Sequence, residues 1–290
     1  MPPEPSITQQ EIEKYREVTY QYLPHLKLTS ESEAIQFVND RKFIFFWPIS
    51  GIPFPSLWTA TAGNRPVPNN HDDPGHITWR WKDALLDKKV WYYAKILRNK
   101  STIVSLELVD HFIALSNTAS QGMGEFEYLF RIGKRSRLEL EIFSQLTQFG
   151  PLDAISLKQR ASRTLSFSPG EYDRAMLCLQ RQFNILPTGI SENGRWHFAY
   201  LYDTIDHYYP QKLNVADQIT KDVAREKILT AVIQSNGVST ITEMKKLLDW
   251  ELVDIQHTLD ALQSNGKIFP VQKAQDSQSA FAISDWFNKK

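Results

Sequence analysis

A chain of 290 residues, 42% hydrophobic and 23% charged, has the make-up of a folded water-soluble protein, which excludes long disorder and collagen-like repeats. Its 33 basic and 33 acidic residues cancel, so only local charge can draw it to nucleic acid. The longest apolar run, Phe43 to Ile49, is too short to cross a bilayer, and the single Cys178 excludes an intrachain disulfide and a thiolate metal cluster.

The N-terminal residues Met1 to Pro5 lack the basic and apolar regions of a secretory signal, so a cytoplasmic protein with no membrane contact is expected. A hydroxyl residue followed three positions later by Glu lets side chain and backbone satisfy each other at a helix start. The pattern predicts helices after Thr8/Glu11, Ser30/Glu33, Ser168/Glu171 and Thr240/Glu243. Residues 43 to 93 hold eleven of the 35 aromatic side chains, among which Trp47 and Trp58 read as core.

Further along, Leu138, Ile142, Leu146 and Phe149 predict a helix stopped by Gly150-Pro151, and Asp153 caps a short helix through Leu157 and Ala161. Pro169 at the first helical position opens a third helix over about 169–183. Tyr172, Ala175, Met176, Leu179 and Phe183 form its packed face, leaving Arg174 and Arg181 on another. Strand-like runs Ile185 to Ile190 and Arg195 to Tyr202 flank an Asn193-Gly194 hairpin turn. Three helices and a hairpin predict a winged helix. At an offset of 87, Ile142, Leu146, Gly150, Asp153, Leu157 and Ala161 fall on Leu229, Ile233, Gly237, Thr240, Met244 and Leu248. A helix from about Glu251 to Ser264 and a hairpin from Lys267 to about Ser284 complete a second copy.

Several blocks carry a family resemblance. Leu152-Asp153-Ala154, Arg174 to Gln180, Gly194-Arg195-Trp196 and Leu201 to Pro210 resemble the AlkZ/YcaQ-like tandem winged-helix DNA glycosylases. Phe46-Trp47-Pro48, Pro55 to Trp58, Arg65 to Pro68, His71-Asp72-Asp73, Trp79 to Asp83 and Tyr92 to Lys95 are similar to the AlkZ-related subset of that family. The resemblance covers roughly residues 29 to 210. It implies an α-rich α+β fold, tandem winged helices packed into one compact body, and double-stranded DNA as partner. The expected divisions are a helical extension over 1–28, an aromatic-rich region over 29–125, a central winged helix over 126–212 and a C-terminal winged helix over 213–290. Family glycosylases use Gln-x-Gln or Gln-x-Asp on the strand after an early helix. The corresponding stretch here, Phe43 to Pro48, has neither amide nor carboxylate.

His71-Asp72-Asp73 is the most reactive-looking cluster, because adjacent carboxylates can orient water or stabilise an oxocarbenium-like sugar; the same residues also cap turns. With His76 they match no specific zinc signature, and no metal or cofactor is expected. In Trp79-Arg80-Trp81-Lys82-Asp83 the indoles could stack an extruded base while Arg80 and Lys82 meet phosphate; alternatively the indoles line the inner face of an amphipathic strand or fill a domain interface, with the charges merely solvated. Residues 131–200 carry 10 basic and 6 acidic residues, and Lys158, Arg160, Arg163, Arg174, Arg181 and Arg195 lie where a winged helix meets DNA, or form a solvated surface. The last module's third helix has Glu251, Asp254 and Asp260 but no Lys or Arg, which repels phosphate and suits a structural or protein-binding role. Two functions stay open: a DNA glycosylase acting on alkylated or crosslinked bases, and a non-catalytic DNA-binding regulatory or protein-interaction protein.

Overall fold

All four expected starts open helices in the computed structural model, which describes residues 4–116, 122–193, 198–274 and 279–286. They are Gln9–Thr19, Glu31–Arg41, Pro169–Arg181 and Ile241–Leu248. Thr8, Ser168 and Thr240 form reciprocal boxes with their glutamates, whereas Glu33 turns to the backbone and hydroxyl of Thr29, at 2.6 and 2.9 Å. Ser136/Glu139, a fifth box of the same spelling, opens Arg137–Phe149.

The central module runs helix Arg137–Phe149, strand Leu152–Asp153, helix Ala154–Thr164, helix Pro169–Arg181, then strands Ile185–Ser191 and Ala199–Thr204. The last strand is the middle of its antiparallel sheet, with Leu152 opposite Tyr202 and Ile185 opposite Thr204. The order repeats as Lys221–Asn236, Val238–Thr240, Ile241–Leu248, Leu252–Ser264, Ile268–Lys273 and Ser279–Ile283, and again the last strand lies between the other two. This is the element order expected of winged helices. The offset of 87 reflects equivalent jobs: Asp153 and Thr240 both cap the second helix, and Gly150 and Gly237 end the first. A Cβ at Gly150 would lie 2.5 Å from the Leu146 carbonyl oxygen, and one at Gly237 would lie 2.3 Å from Trp286.

Two placements follow no local pattern. Ser6–Ile7 pairs in parallel with Ile268–Lys273, so the expected N-terminal extension completes the C-terminal sheet. Arg16, on the helix that follows, is buried and donates to the carbonyls of Asn236 and Val238.

The aromatic-rich region folds around a three-stranded antiparallel sheet, Phe43–Phe45, Lys100–Ser105 and Trp91–Leu97, with the second of these in the middle. Successive strand side chains point to opposite faces. Phe43 and Phe45 enter one core with Phe54, Phe112, Phe183 and Ile233, while Ile44 and Phe46 enter another with Phe37, Trp81, Leu85 and Trp91. Both faces are covered, which explains an unbroken apolar run in so short a strand. Because the first core draws on all three modules, they pack as one body. Tyr208 and Tyr209 knit them further, donating to the carbonyls of Leu86 and Trp91 at 2.6 and 3.0 Å. Among the described residues no helix is long and apolar enough to cross a membrane.

Candidate functional site

The loop after helix Leu57–Ala62 is rich in Pro and Asn and holds its shape through side chains. Arg65 grips Asp73 with two bonds, Nη2 to Oδ1 at 2.6 Å and Nη1 to Oδ2 at 3.0 Å. Asp73 Oδ1 also accepts the Gly75 N–H at 2.8 Å, capping the short turn Pro74–His76. The Arg65 guanidinium, and after it the Gly75 N–H, hold the Asp73 carboxyl below the usual carboxylate range. Asp73 is therefore a cap with both oxygens engaged, charged at neutral pH, and the turn reading describes it. Asp72 is exposed, and the bond at this residue runs from its backbone N–H to Asn70 Oδ1, at 3.1 Å. Of the two aspartates, Asp72 presents a carboxylate to solvent.

Residues 77–85 are a helix rather than a strand. Two positions along a helix turn a side chain by about 200°, so Trp79 and Trp81 point in nearly opposite directions instead of sharing a face. Trp81 is buried in the second core, which removes it from the stacking role expected of it beside Trp79. Trp79 is half-buried and stands in a cluster that the sequence did not suggest. Its indole stacks on His76 at 4.5 Å, meets Trp47 at 5.7 Å and His71 at 5.5 Å, and His76 in turn meets Trp58 at 5.3 Å. Trp58 is fully buried, while Trp47, read as core, is half-buried at the cluster. His71 and Asp72 form the exposed rim. His76 Nε2 lies 3.3 Å from the Pro68 carbonyl, and its buried Nδ1 has no hydrogen-bond partner.

Lys82 does not reach phosphate. It is 2% exposed, forms an ion pair with Asp83 and donates to the Tyr200 hydroxyl; the ammonium also lies over the rings of Tyr200, Tyr93 and Phe46 at 4.6, 5.3 and 5.6 Å. Burial pushes the Lys82 amine down and the Asp83 carboxyl up, and each charge offsets part of the other's shift. Arg80, by contrast, is exposed. Tyr200 belongs to the central hairpin, so Lys82 fastens the aromatic region to that module.

The basic candidates of the central module divide in two. Lys158 lies 5.3 Å over the Tyr172 ring and Arg160 lies 4.4 Å over Phe149, both half-buried. Arg163, Arg174 and Arg181 are exposed. Arg174 and Arg181 are seven residues apart on one helix face, about 10 Å along its axis. Grooves of about 710 and 360 Å³ adjoin this helix and share Arg174 and Cys178. Arg137, which the reading of the second and third helices passed over, lines the larger groove. Burial and neighbouring Glu139 push the Cys178 thiol up to about 12, leaving it a poor nucleophile. Arg195 lies outside the described residues. On the last module's third helix, Asp254 pairs with Arg225 at 3.0 Å and Asp260 accepts from Gln256 at 2.8 Å. Among the described residues no three His, Cys, Asp or Glu side chains gather as a metal site.

An α-rich α+β body with two helix-and-hairpin modules and an aromatic N-terminal region has the fold of a known DNA glycosylase. It is similar to the Streptomyces sahachiroi DNA glycosylase AlkZ over 98% of this chain and 72% of that one, with a TM-score of 0.62 and 11% sequence identity, which is a likeness of fold. The AlkZ-related family model matches residues 28–249, and the chain belongs to that family. No curated protein matches the sequence.

Proposed function

We propose that the protein is a DNA glycosylase that removes alkylated or crosslinked bases. The observation that carries this reading is the half-open cluster of Trp47, His76 and Trp79 with exposed Asp72 on its rim. A glycosylase must extrude a nucleotide, stack its base and place a carboxylate near the anomeric carbon. The half-buried indoles of Trp47 and Trp79 supply stacking surface, with buried His76 backing Trp79, and Asp72 orients water toward the sugar. Arg174 and Arg181 seat the duplex through its phosphates, since their helix carries them on one exposed face.

Incubation of alkylated and crosslinked oligonucleotides with wild type and Asp72→Asn, measuring base release beside binding, tests this. Asp72→Asn is expected to lower turnover by at least tenfold and to leave DNA affinity within twofold, because the interaction matters mainly in the transition state. Absence of release by the wild type across the panel overturns the enzymatic reading.

One observation favours the alternative of a non-catalytic DNA-binding protein: Phe43–Phe45, which the family resemblance sets against the glutamine strand, is wholly apolar and buried. Binding without base release from any substrate supports it. The exposed Leu252 and Val253 on the last module's third helix give that reading a surface for a protein partner.

A further inference from the structure

A second pocket lies beside the aromatic cluster, about 600 Å³ in volume, lined by Lys27, Thr29, Thr61, Arg65, Ile77 and Trp81 among others. Two cations converge there on a single acceptor: Lys27 Nζ and Arg65 Nε each donate to the Ala62 carbonyl at 3.2 Å. The approach of Lys27 depends on Gly63, whose φ is +88° and whose missing Cβ would lie 3.1 Å from Lys27 Cε and Nζ. Asp73 offsets the charge of Arg65 through its two bonds, while none of the ion pairs among the described residues contains Lys27. A half-buried ammonium that spends one of three N–H groups on a carbonyl brings a positive charge outside any of those ion pairs and spare donors to the pocket, while Glu33 is tied to the backbone and hydroxyl of Thr29 at its edge, at 2.6 and 2.9 Å.

We infer that this pocket is a phosphate site, with Lys27 as its principal ligand and Arg65 as the second cation; the hydroxyls of Thr29 and Thr61 at its edge already donate, to Glu33 and to the Leu57 carbonyl at 2.9 Å each, and are not counted as ligands. Trp58 connects it to the base-stacking cluster, because Arg65 lies 4.8 Å over the Trp58 ring and His76 meets the same ring at 5.3 Å. The inference rests on the proposed glycosylase reading only in naming the source of the phosphate: a strand whose base enters the cluster would place a flanking phosphodiester here. It also gives the site a cation in place of the enclosed Lys82.

The test has two readouts. In the wild type, acetylation of Lys27, followed by mass spectrometry with exposed Lys95 as reference, is measured alone, with an oligonucleotide duplex carrying an alkylated base, and with inorganic phosphate. Protection of Lys27 of at least threefold by the duplex supports a phosphodiester ligand, and protection by inorganic phosphate alone supports a free anion as the source. Separately, duplex affinity is compared between 50 and 200 mM salt. Lys27→Gln is expected to flatten the log–log slope by about 0.9, so that the fall in affinity over that range is roughly threefold smaller than in the wild type, and Lys27→Arg to restore it. Equal acetylation of Lys27 under all three conditions overturns the inference, whether or not Lys27→Gln folds. Base release by the wild type, scored in parallel, decides the glycosylase reading independently.

Discussion

The imidazole of His76 lies almost parallel to the indole of Trp79, with ring centroids 4.5 Å apart and planes inclined by 17°. The two residues are three apart across a 3-10-to-helix junction, where Asp73 caps the turn and Pro74 starts it. With His76 buried beneath it, the half-buried Trp79 offers the flat aromatic face of the pair to an incoming base. Trp79→Ala is expected to weaken binding of DNA containing an extruded or abasic-flanked base by roughly fivefold or more, since stacking contributes about 1–3 kcal/mol per base. Quenching of tryptophan fluorescence on titration with that DNA, smaller in Trp79→Ala, is the measurement.

The Arg65–Asp73 pair has a pH signature. Asp73 is held below its ordinary range by Arg65 and the Gly75 N–H, so its folded pKa is depressed. A depressed carboxylate adds stability above its unfolded value, about 3.9, and loses it as pH falls through the folded value. Asp73→Asn should therefore melt below the wild type at neutral pH, with the gap closing on acidification below about pH 4. A gap unchanged at low pH contradicts the assignment.

Lys82 makes a stability prediction rather than a binding one. Lys82→Met leaves the partly buried Asp83 without its counter-charge; because Asp83 keeps some contact with water, a cost below the about 3–5 kcal/mol of a fully buried pair is expected. The double variant Lys82→Met/Asp83→Leu should recover most of that loss, because no charge is then stranded. Urea denaturation of the three proteins reads both values.

Arg174→Ala and Arg181→Ala should each weaken duplex binding without discriminating between sequences and reduce the salt slope by about one. Melting temperatures should move little, since both side chains are exposed. An unchanged slope in the double variant at several salt concentrations removes this helix from the DNA interface.

Phe45→Ala removes a fully buried ring that packs against Phe54 in the core shared by all three modules. A cost of about 3–5 kcal/mol is expected. One cooperative transition shifted as a whole, seen by calorimetry, would confirm that the modules unfold together.

Helix starts, helix ends and the repeat of 87 residues were legible because they are short-range: a cap needs a hydroxyl and a carboxylate three positions apart, and Gly150 or Gly237 needs only its own turn. The basic helix face was legible for the same reason, since Arg174 and Arg181 are placed by helical spacing alone. What lay beyond the sequence were partners distant in the chain. Nothing local tells Lys82 that Tyr200, 118 residues away, will accept its hydrogen bond, or pairs Ser6–Ile7 with Gln272 and Lys273. The site departs from its sequence pattern where one conformational choice governs many contacts: Trp79 and Trp81 share a face in a strand and oppose each other in a helix, and the helix forms. Adjacent Asp72 and Asp73 have the same chemistry on paper. Arg65, brought back by the fold of the loop, turned Asp73 into a cap and left Asp72 facing solvent, because a carboxylate's role is set by the donors that surround it.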